Sequence, residues 1–407
     1  MDALLQSIRT MLKRDRAPDL LIRSFCSQVK RVRDGQSASI PVAALEPLDH
    51  ITALADLHAA EAAGRRALPH TLLIKLNGGL GTSMGLDRAK SLLPVKDGLT
   101  FLDLICRQVL HLRREHHATL PLLFMNSFST ADDTAAVLHR YPELARGQDG
   151  IPPGFLQNRV PRLRADTLVP AQWPGQPAKT WCPPGHGDLY VALATSGLLD
   201  QLLHRGFRYA FISNADNLGA VLNLSLLGHL ADQNLPFIME VTRRTPADRK
   251  GGHLAKAIGG PLLLREIAQC PQDELDDFQN IQRHRYFNTN NLWLDLAALQ
   301  DILHRTREPP PLPVICNLKK LDPQGPEILQ LETAMGAAIQ AFPGAQAIDV
   351  PRTRFSPVKT TDDLLGLMSD AFTLTPDHRI VLNPQRPDLT PPPPRFHPRH
   401  LKTIYAF

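Results

Sequence analysis

Hydrophobic positions change their spacing near residue 70. Before that point, Leu4, Leu5, Ile8, Met11 and Leu12 recur at helical spacing, with Arg and Lys on the intervening positions. The pattern predicts amphipathic helices with a solvated basic face, so residues 1–70 are expected to form an N-terminal helical segment. From Thr71, short apolar runs bounded by turn residues alternate with helical patterns. Residues 72–76, 120–125, 209–213, 236–241 and 347–350 predict buried strands, and 101–114, 189–204, 224–232, 297–305 and 331–342 predict helices. Alternation of this kind argues for an α/β fold, a mostly parallel or mixed sheet covered by helices, over about residues 71–375. The periodicity lapses from Asp377. Residues 376–407 are expected to be a proline-rich tail, with Pro391–Pro394 in an extended polyproline segment.

Composition narrows the class. The chain has 407 residues, 43% hydrophobic and 21% charged, which is ordinary globular usage and excludes a coiled coil, a collagen-like fibre or a largely disordered chain. No apolar run nears the roughly 18 residues of a membrane span, and no apolar core follows the acidic Met1-Asp2 start, so neither a membrane role nor a secretory leader is expected. Five widely spaced cysteines without a CxxC pair argue against a disulfide framework or zinc site and for a reducing cytoplasm. The net charge of +5 suits anionic small substrates and is too small to point to nucleic acid.

The chemistry begins where the first predicted strand ends. Residues 72–76 run into Asn77-Gly78-Gly79-Leu80-Gly81-Thr82-Ser83-Met84-Gly85. Glycines after a strand let the backbone approach a phosphate and aim its N–H groups at it. The dinucleotide pattern GxGxxG would need glycine where Met84 stands, and a P-loop needs glycine directly before its Lys-Ser pair, where Ala89 stands. Lys90, just beyond the loop, adds a point charge for the same phosphates.

Residues 76–85, with Lys90 and the following Asp97-Gly98-Leu99-Thr100-Phe101-Leu102-Asp103-Leu104, resemble the eukaryotic-type UTP–glucose-1-phosphate uridylyltransferase family. Further blocks continue the resemblance in order over about residues 45–375: Met125-Asn126-Ser127-Phe128, Phe155-Leu156-Gln157, Trp181 to Asp188, Asn214 to Gly219, Phe287 to Trp293, and Val350 to Lys359. It implies a Rossmann-like nucleotidyltransferase fold of the GT-A-like kind. It also implies a nucleotide site of Leu76, Asn77, Gly78, Gly79, Lys90, Met125, Gln157, Gly185, Asn214 and Asp216. Met125 would pack on the uracil ring and Gln157 would hydrogen-bond its edge, as an amide that both donates and accepts can. The sugar phosphate would meet His186, Asn214, Glu266, Asn288, Asn290 and Lys359, and Lys250 is a weaker candidate near the sugar. Asp216, a carboxylate at a strand end beside a phosphate loop, would hold Mg²⁺, which prefers oxygen and accompanies phosphates. Lys90, Lys359 and Asp216 would then carry catalysis.

The implied reaction is UTP plus glucose 1-phosphate giving UDP-glucose and pyrophosphate, by in-line attack without a covalent enzyme intermediate. Another sugar 1-phosphate, such as those of galactose or N-acetylglucosamine, and a catalytically dead nucleotide-sugar-binding protein are the alternatives. The sequence departs from the family pattern at Cys182, where an aromatic is usual, and at Ala215, where serine is usual. A C-terminal β-helix domain is expected to be absent or vestigial, and the chain to be a monomer or a dimer formed another way.

Overall fold

The computed structural model describes residues 2–36, 39–81, 84–148, 150–321 and 325–386; the polyproline run expected at Pro391–Pro394 lies outside them. A sheet of ten strands organises the chain. In chain order they are β1 (Leu45–Glu46), β2 (Thr71–Asn77), β3 (Leu122–Asn126), β4 (Gly154–Leu156), β5 (Tyr209–Asn214), β6 (Phe237–Arg243), β7 (His253–Ala257), β8 (Leu262–Arg265), β9 (Tyr286–Asp295) and β10 (Gln346–Asp349). The spatial order is β1-β7-β9-β5-β2-β3-β4, with β6 against β9 and β10, and β8 against β7. β5, β2, β3 and β4 run parallel, whereas β9 is antiparallel to β5, β6 and β7, so the sheet is mixed.

β3 and most of β2 and β5 read as apolar runs because both faces of the sheet are covered there. Leu73, Phe124, Phe211, Trp293 and Ile238 point to one core, and Leu72, Ile74, Met125, Ala210, Ile212 and Leu292 to the other. The helix Phe101–His116 packs on the first side, opened by a capping box between Thr100 and Asp103, and the helix Leu189–Thr195 packs on the second. N-terminal helices Ala3–Arg14 and Asp19–Arg33 bury Ile8, Leu12, Phe25 and Val29 against Val160, Leu163, Cys182, Val191 and Leu331. The start of the chain therefore braces the segment that carries Gly185 and His186.

Two predicted helices are corrected. Residues 189–204 form two helices, Leu189–Thr195 and Leu198–His204, divided at Gly197, whose φ of +73° breaks the ladder. Residues 331–342 are no α-helix. Ile328–Glu332 is a strand paired with Ile315–Lys319 and Leu163–Arg164, and Met335–Ala341 is a 3₁₀ helix. The helical spacing of Leu331, Met335 and Ala338 marks burial rather than α-turns, because small residues there press on β9: a Cβ on Gly336 would lie 2.7 Å from Asn288 Nδ2.

Candidate active site

Four parallel strands end together. Register pairs Asn214 with Leu76, Leu76 with Met125, and Met125 with Phe155, so one row of residues crosses β5, β2, β3 and β4 at their carboxyl ends. Beyond this row lies a cleft of about 680 Å³. Its walls include Leu76, Asn77, Gly78, Gly79, Lys90, Met125, Gln157, Gly185, His186, Asn214 and Asp216. The strand-end position is the one open α/β sheets use for ligands.

The glycine loop closes on itself. The Lys90 N–H donates to the Gly79 carbonyl at 3.2 Å, and Leu80 and Ala89 form a bridge. Residues Thr82 and Ser83 lie outside the described residues. This closure returns Lys90 to the cleft, where its Nζ meets Asp216 Oδ2 at 2.6 Å. The other carboxylate oxygen, Asp216 Oδ1, is buried and has no hydrogen-bond partner.

Gln157 ties the opposite wall together. Its backbone N–H donates to Asn126 O, and its Nε2 donates to the Gly185 carbonyl at 2.6 Å. Gly78 passes so close that an added Cβ would sit 2.8 Å from Gln157 Oε1. Gly185 adopts φ +81° and abuts the Thr333 backbone, so a side chain there faces both backbone strain and a clash. The Asn77 amide donates to Asn126 and Thr134, so its side-chain donors are spent within the protein.

His186 follows Gly185 in a 3₁₀ turn before the helix Leu189–Thr195. Its Nδ1 accepts the Met335 N–H at 3.1 Å. Burial pushes its pKa down to about 4, so the ring is neutral at pH 7. With Nδ1 accepting, the proton sits on Nε2, on a residue that lines the cleft. Asp188 behind it accepts from Asn158, and burial pushes its carboxyl up to about 7.

Of the residues expected at the sugar, His186 and Asn214 line the nucleotide cleft, whereas Glu266, Asn288, Asn290 and Lys359 stand outside its lining and form a second cluster. Asn288 and Asn290 lie on β9 where the register with β6 shifts between Glu240 and Val241. The irregularity puts Asn290 at φ +56° and lets Asn288 Nδ2 donate to Asn290 Oδ1 at 2.9 Å. Glu266 follows β8. Burial holds its carboxyl above the usual range and the Lys359 ammonium acts against this, which places the two in one electrostatic neighbourhood. Lys359 is joined to the cleft through its own segment, since the Val358 N–H donates to the Asp216 carbonyl at 3.3 Å. Lys250 is exposed and stands outside the cleft lining.

Sequence reasoning missed the far wall. Arg162, Lys179, Trp181, Lys319 and Glu332 also line the cleft. Arg162 spends Nη1 on the Lys179 and Trp181 carbonyls. Lys319 arrives on the strand Ile315–Lys319, whose pairing with Ile328–Glu332 was unforeseen; a basic pair at 319–320 was the one available signal.

An open α/β sheet with a glycine loop, a lysine and a carboxylate at its strand ends defines a protein built to hold phosphate-bearing ligands. The comparisons with known proteins make this particular. The family described as UTP–glucose-1-phosphate uridylyltransferase matches residues 22–407. The Solanum tuberosum protein of that name is 40% identical over 384 residues, 93% of this chain and 79% of its own. Among solved structures, the UDP-glucose pyrophosphorylase from Leishmania major, described in open and closed forms, superposes with a TM-score of 0.93 at 42% identity, over 100% of this chain and 87% of that one. A mutant of the Leishmania major protein in complex with UDP-glucose gives a TM-score of 0.92 at 42% identity, with the same coverage. The chain belongs to the UTP–glucose-1-phosphate uridylyltransferase family.

Proposed function

We infer that the chain transfers a uridylyl group from UTP to glucose 1-phosphate, giving UDP-glucose and pyrophosphate. The observation that carries the reading is the cleft itself: a glycine loop, Lys90 and Asp216 facing Gln157 and His186 across one space. A phosphate oxygen of the sugar phosphate attacks the α-phosphorus of UTP as the bond to the β-phosphate breaks, and the pair of electrons leaves with pyrophosphate. Such a transfer needs positioning and charge neutralisation more than covalent groups.

Gly78 and Gly79 present backbone to the triphosphate, and Lys90 supplies positive charge to it once released from Asp216. Met125 and Gln157 lie where the uracil ring would pack and be read. His186 offers a neutral N–H donor that adds no charge to the site. Asn214, Glu266, Asn288 and Asn290 are assigned to the sugar phosphate, and Lys359 to its charge. Asp216 is the residue that would hold Mg²⁺: its Oδ1 is a hard oxygen donor, buried and without a partner. Among the described residues no three metal-ligating side chains cluster, so phosphate oxygens and water would complete the ion's shell. Bound there, Mg²⁺ would supply charge neutralisation on the phosphates.

Among the described residues no helix is long and apolar enough to cross a membrane. The cytoplasmic setting is part of the proposal and rests on the wide spacing of five cysteines without a CxxC pair. A monomer or dimer is part of the proposal, and light scattering that showed an octamer would overturn that part.

The test is pyrophosphate release by the purified protein with UTP, Mg²⁺ and a panel of sugar 1-phosphates. Release with glucose 1-phosphate, and little with the galactose or N-acetylglucosamine compounds, is the expected result. Release only with another sugar would keep the chemistry and move the specificity. UTP binding with no release for any sugar would defeat the enzymatic reading.

A further inference from the structure

Beneath the second cluster lies a buried charge pair that the reaction scheme leaves unused. Glu240, on β6, is fully buried, and each of its oxygens has two donors. Oε1 accepts from Arg354 Nη2 at 2.6 Å and Trp293 Nε1 at 2.9 Å; Oε2 accepts from Arg354 Nε at 2.7 Å and Asn291 Nδ2 at 3.1 Å. A buried pair of this kind is weak evidence for stability, because apolar residues of similar volume often serve as well. A fork clamped on both oxygens does fix direction, and the direction leads to the active site.

The connection runs through Asn217. Its Nδ2 donates to the Arg354 carbonyl at 3.1 Å, and its Oδ1 accepts the Ser356 N–H at 3.0 Å. Asn217 and Pro357 form an antiparallel bridge, and the Val358 N–H reaches the Asp216 carbonyl. The two segments touch backbone to backbone: a Cβ on Gly219 would lie 2.3 Å from the Thr353 carbonyl oxygen. One segment carries Asp216 and the other carries Lys359. Below them Lys75, also buried, donates to Ser213 Oγ at 2.7 Å and the Ala220 carbonyl at 2.8 Å, which brackets the 214–219 turn at both ends. The Glu240 carbonyl also accepts Thr289 Oγ1 at 2.7 Å, beside the irregularity that sets Asn288 and Asn290.

We propose that the Glu240–Arg354 pair, acting through Asn217, is a positioning device that holds Asp216 and Lys359 at a fixed separation for uridylyl transfer. The inference rests on the function proposed above. Neither Glu240 nor Arg354 lines the nucleotide cleft; they act on the reacting groups through the segments they fasten. In-line transfer is sensitive to displacements of about 1 Å in its charged groups, so a loosened fastening should reach the rate before it reaches nucleotide affinity.

Two variants test this. Arg354→Lys keeps the charge and loses the fork; Asn217→Ala cuts the link and leaves no charge unpaired. The expected result in each is a kcat lower by at least about tenfold, with the UTP Kd changed by less than about threefold, because the wall on β2, β3 and β4 is untouched. Hydrogen exchange at the Ser356 and Val358 amides should quicken by at least about tenfold in both variants, while β3 amides hold their rates. Folded variants with kcat within about twofold of the parent, or a loss that tracks only the folded fraction, would overturn the proposal. If the parent itself forms no UDP-glucose, the function reading fails instead. The exchange arm then decides the positioning claim alone: unchanged protection at Ser356 and Val358 refutes it, and faster exchange upholds it.

Discussion

The two halves of the site are built by different means. On the side proposed for the nucleotide, Leu76, Met125 and Asn214 share one row across parallel strands, and the glycine loop follows directly from β2. On the side proposed for the sugar, Asn288 and Asn290 sit at an irregularity in an antiparallel strand, Glu266 follows a hairpin, and Lys359 is fastened through Arg354, Asn217 and Glu240. Parallel strands end together whatever their side chains, so the first half comes with the topology. The second half needs a buried carboxylate, a buried guanidinium and several amides to reach its shape. The halves should therefore fail differently.

The largest difference is expected in stability. Glu240→Ala leaves the Arg354 guanidinium unpaired in the core and should cost about 3–5 kcal/mol in denaturant titrations. On the nucleotide side, Asn77→Ala removes neutral hydrogen bonds to Asn126 and Thr134 and should cost about 1–3 kcal/mol. Equal losses would erase the contrast.

Lys90→Ala reverses the order of effects. Turnover should fall by about 10²–10³-fold, measured as pyrophosphate release, because a charge facing the transferred phosphate is gone. The unfolding free energy should move by only about 1–2 kcal/mol, since the Lys90–Asp216 pair is partly buried and its loss leaves one carboxylate without its partner. Turnover near that of the parent would remove Lys90 from the mechanism.

Acid should act on His253 and Asp188 with opposite sign. His253, on β7, is fully buried; burial first, then the neighbouring His284, Arg244 and Arg265, hold its pKa down to about 2. Its contribution is present above its unfolded pKa, near 6.5, and is lost as pH falls, by about 3 kcal/mol at pH 4.5. Asp188, behind His186, is held up at about 7 by burial. Stability from that group is full below about pH 4 and declines as pH rises through 7. Thermal melts of His253→Phe should lose acid sensitivity between pH 4.5 and 6.5, whereas Asp188→Asn should flatten the curve from pH 4 to 7. A His253→Phe protein as acid-sensitive as the parent would rule out that assignment.

The smallest effect belongs to Gly78→Ala. The added Cβ meets the flexible end of Gln157 rather than backbone. A UTP affinity lower by about fivefold, or roughly 1 kcal/mol, is expected by calorimetry. No change would mean that the Gln157 amide is free to swing aside.

Legibility followed the same division. Residues 224–232 appear as the helix Leu224–Asp232, and β2, β3, β5 and β10 fall within one or two residues of their predicted runs. Those segments are apolar, local and bounded by turn residues. β9 escaped notice as a ten-residue strand because Asn288, Thr289, Asn290 and Asn291 interrupt its apolar pattern. Its polar residues are held by long-range bonds to Glu240 and Arg354, which no local window contains. The predicted helix over 331–342 takes in the end of the strand Ile328–Glu332 and the 3₁₀ turn Met335–Ala341 for a related reason: burial spacing cannot tell an α-helix from a strand joined to a 3₁₀ turn. Lys179 and Lys319 carried no motif, and only tertiary pairing brings them to the cleft.

The shared row of strand ends has one more consequence, for how such a chain tolerates insertion and deletion. Successive strand residues face opposite ways, so slipping β3 by one place against β2 would exchange Met125 for its neighbour and turn the thioether into the other layer. The same one-residue change in the loop after the helix Phe101–His116 can be absorbed far from the row. Length variation should therefore be permitted behind the sheet and forbidden within β2, β3 and β5, a ruler of fixed length inside an otherwise adjustable chain.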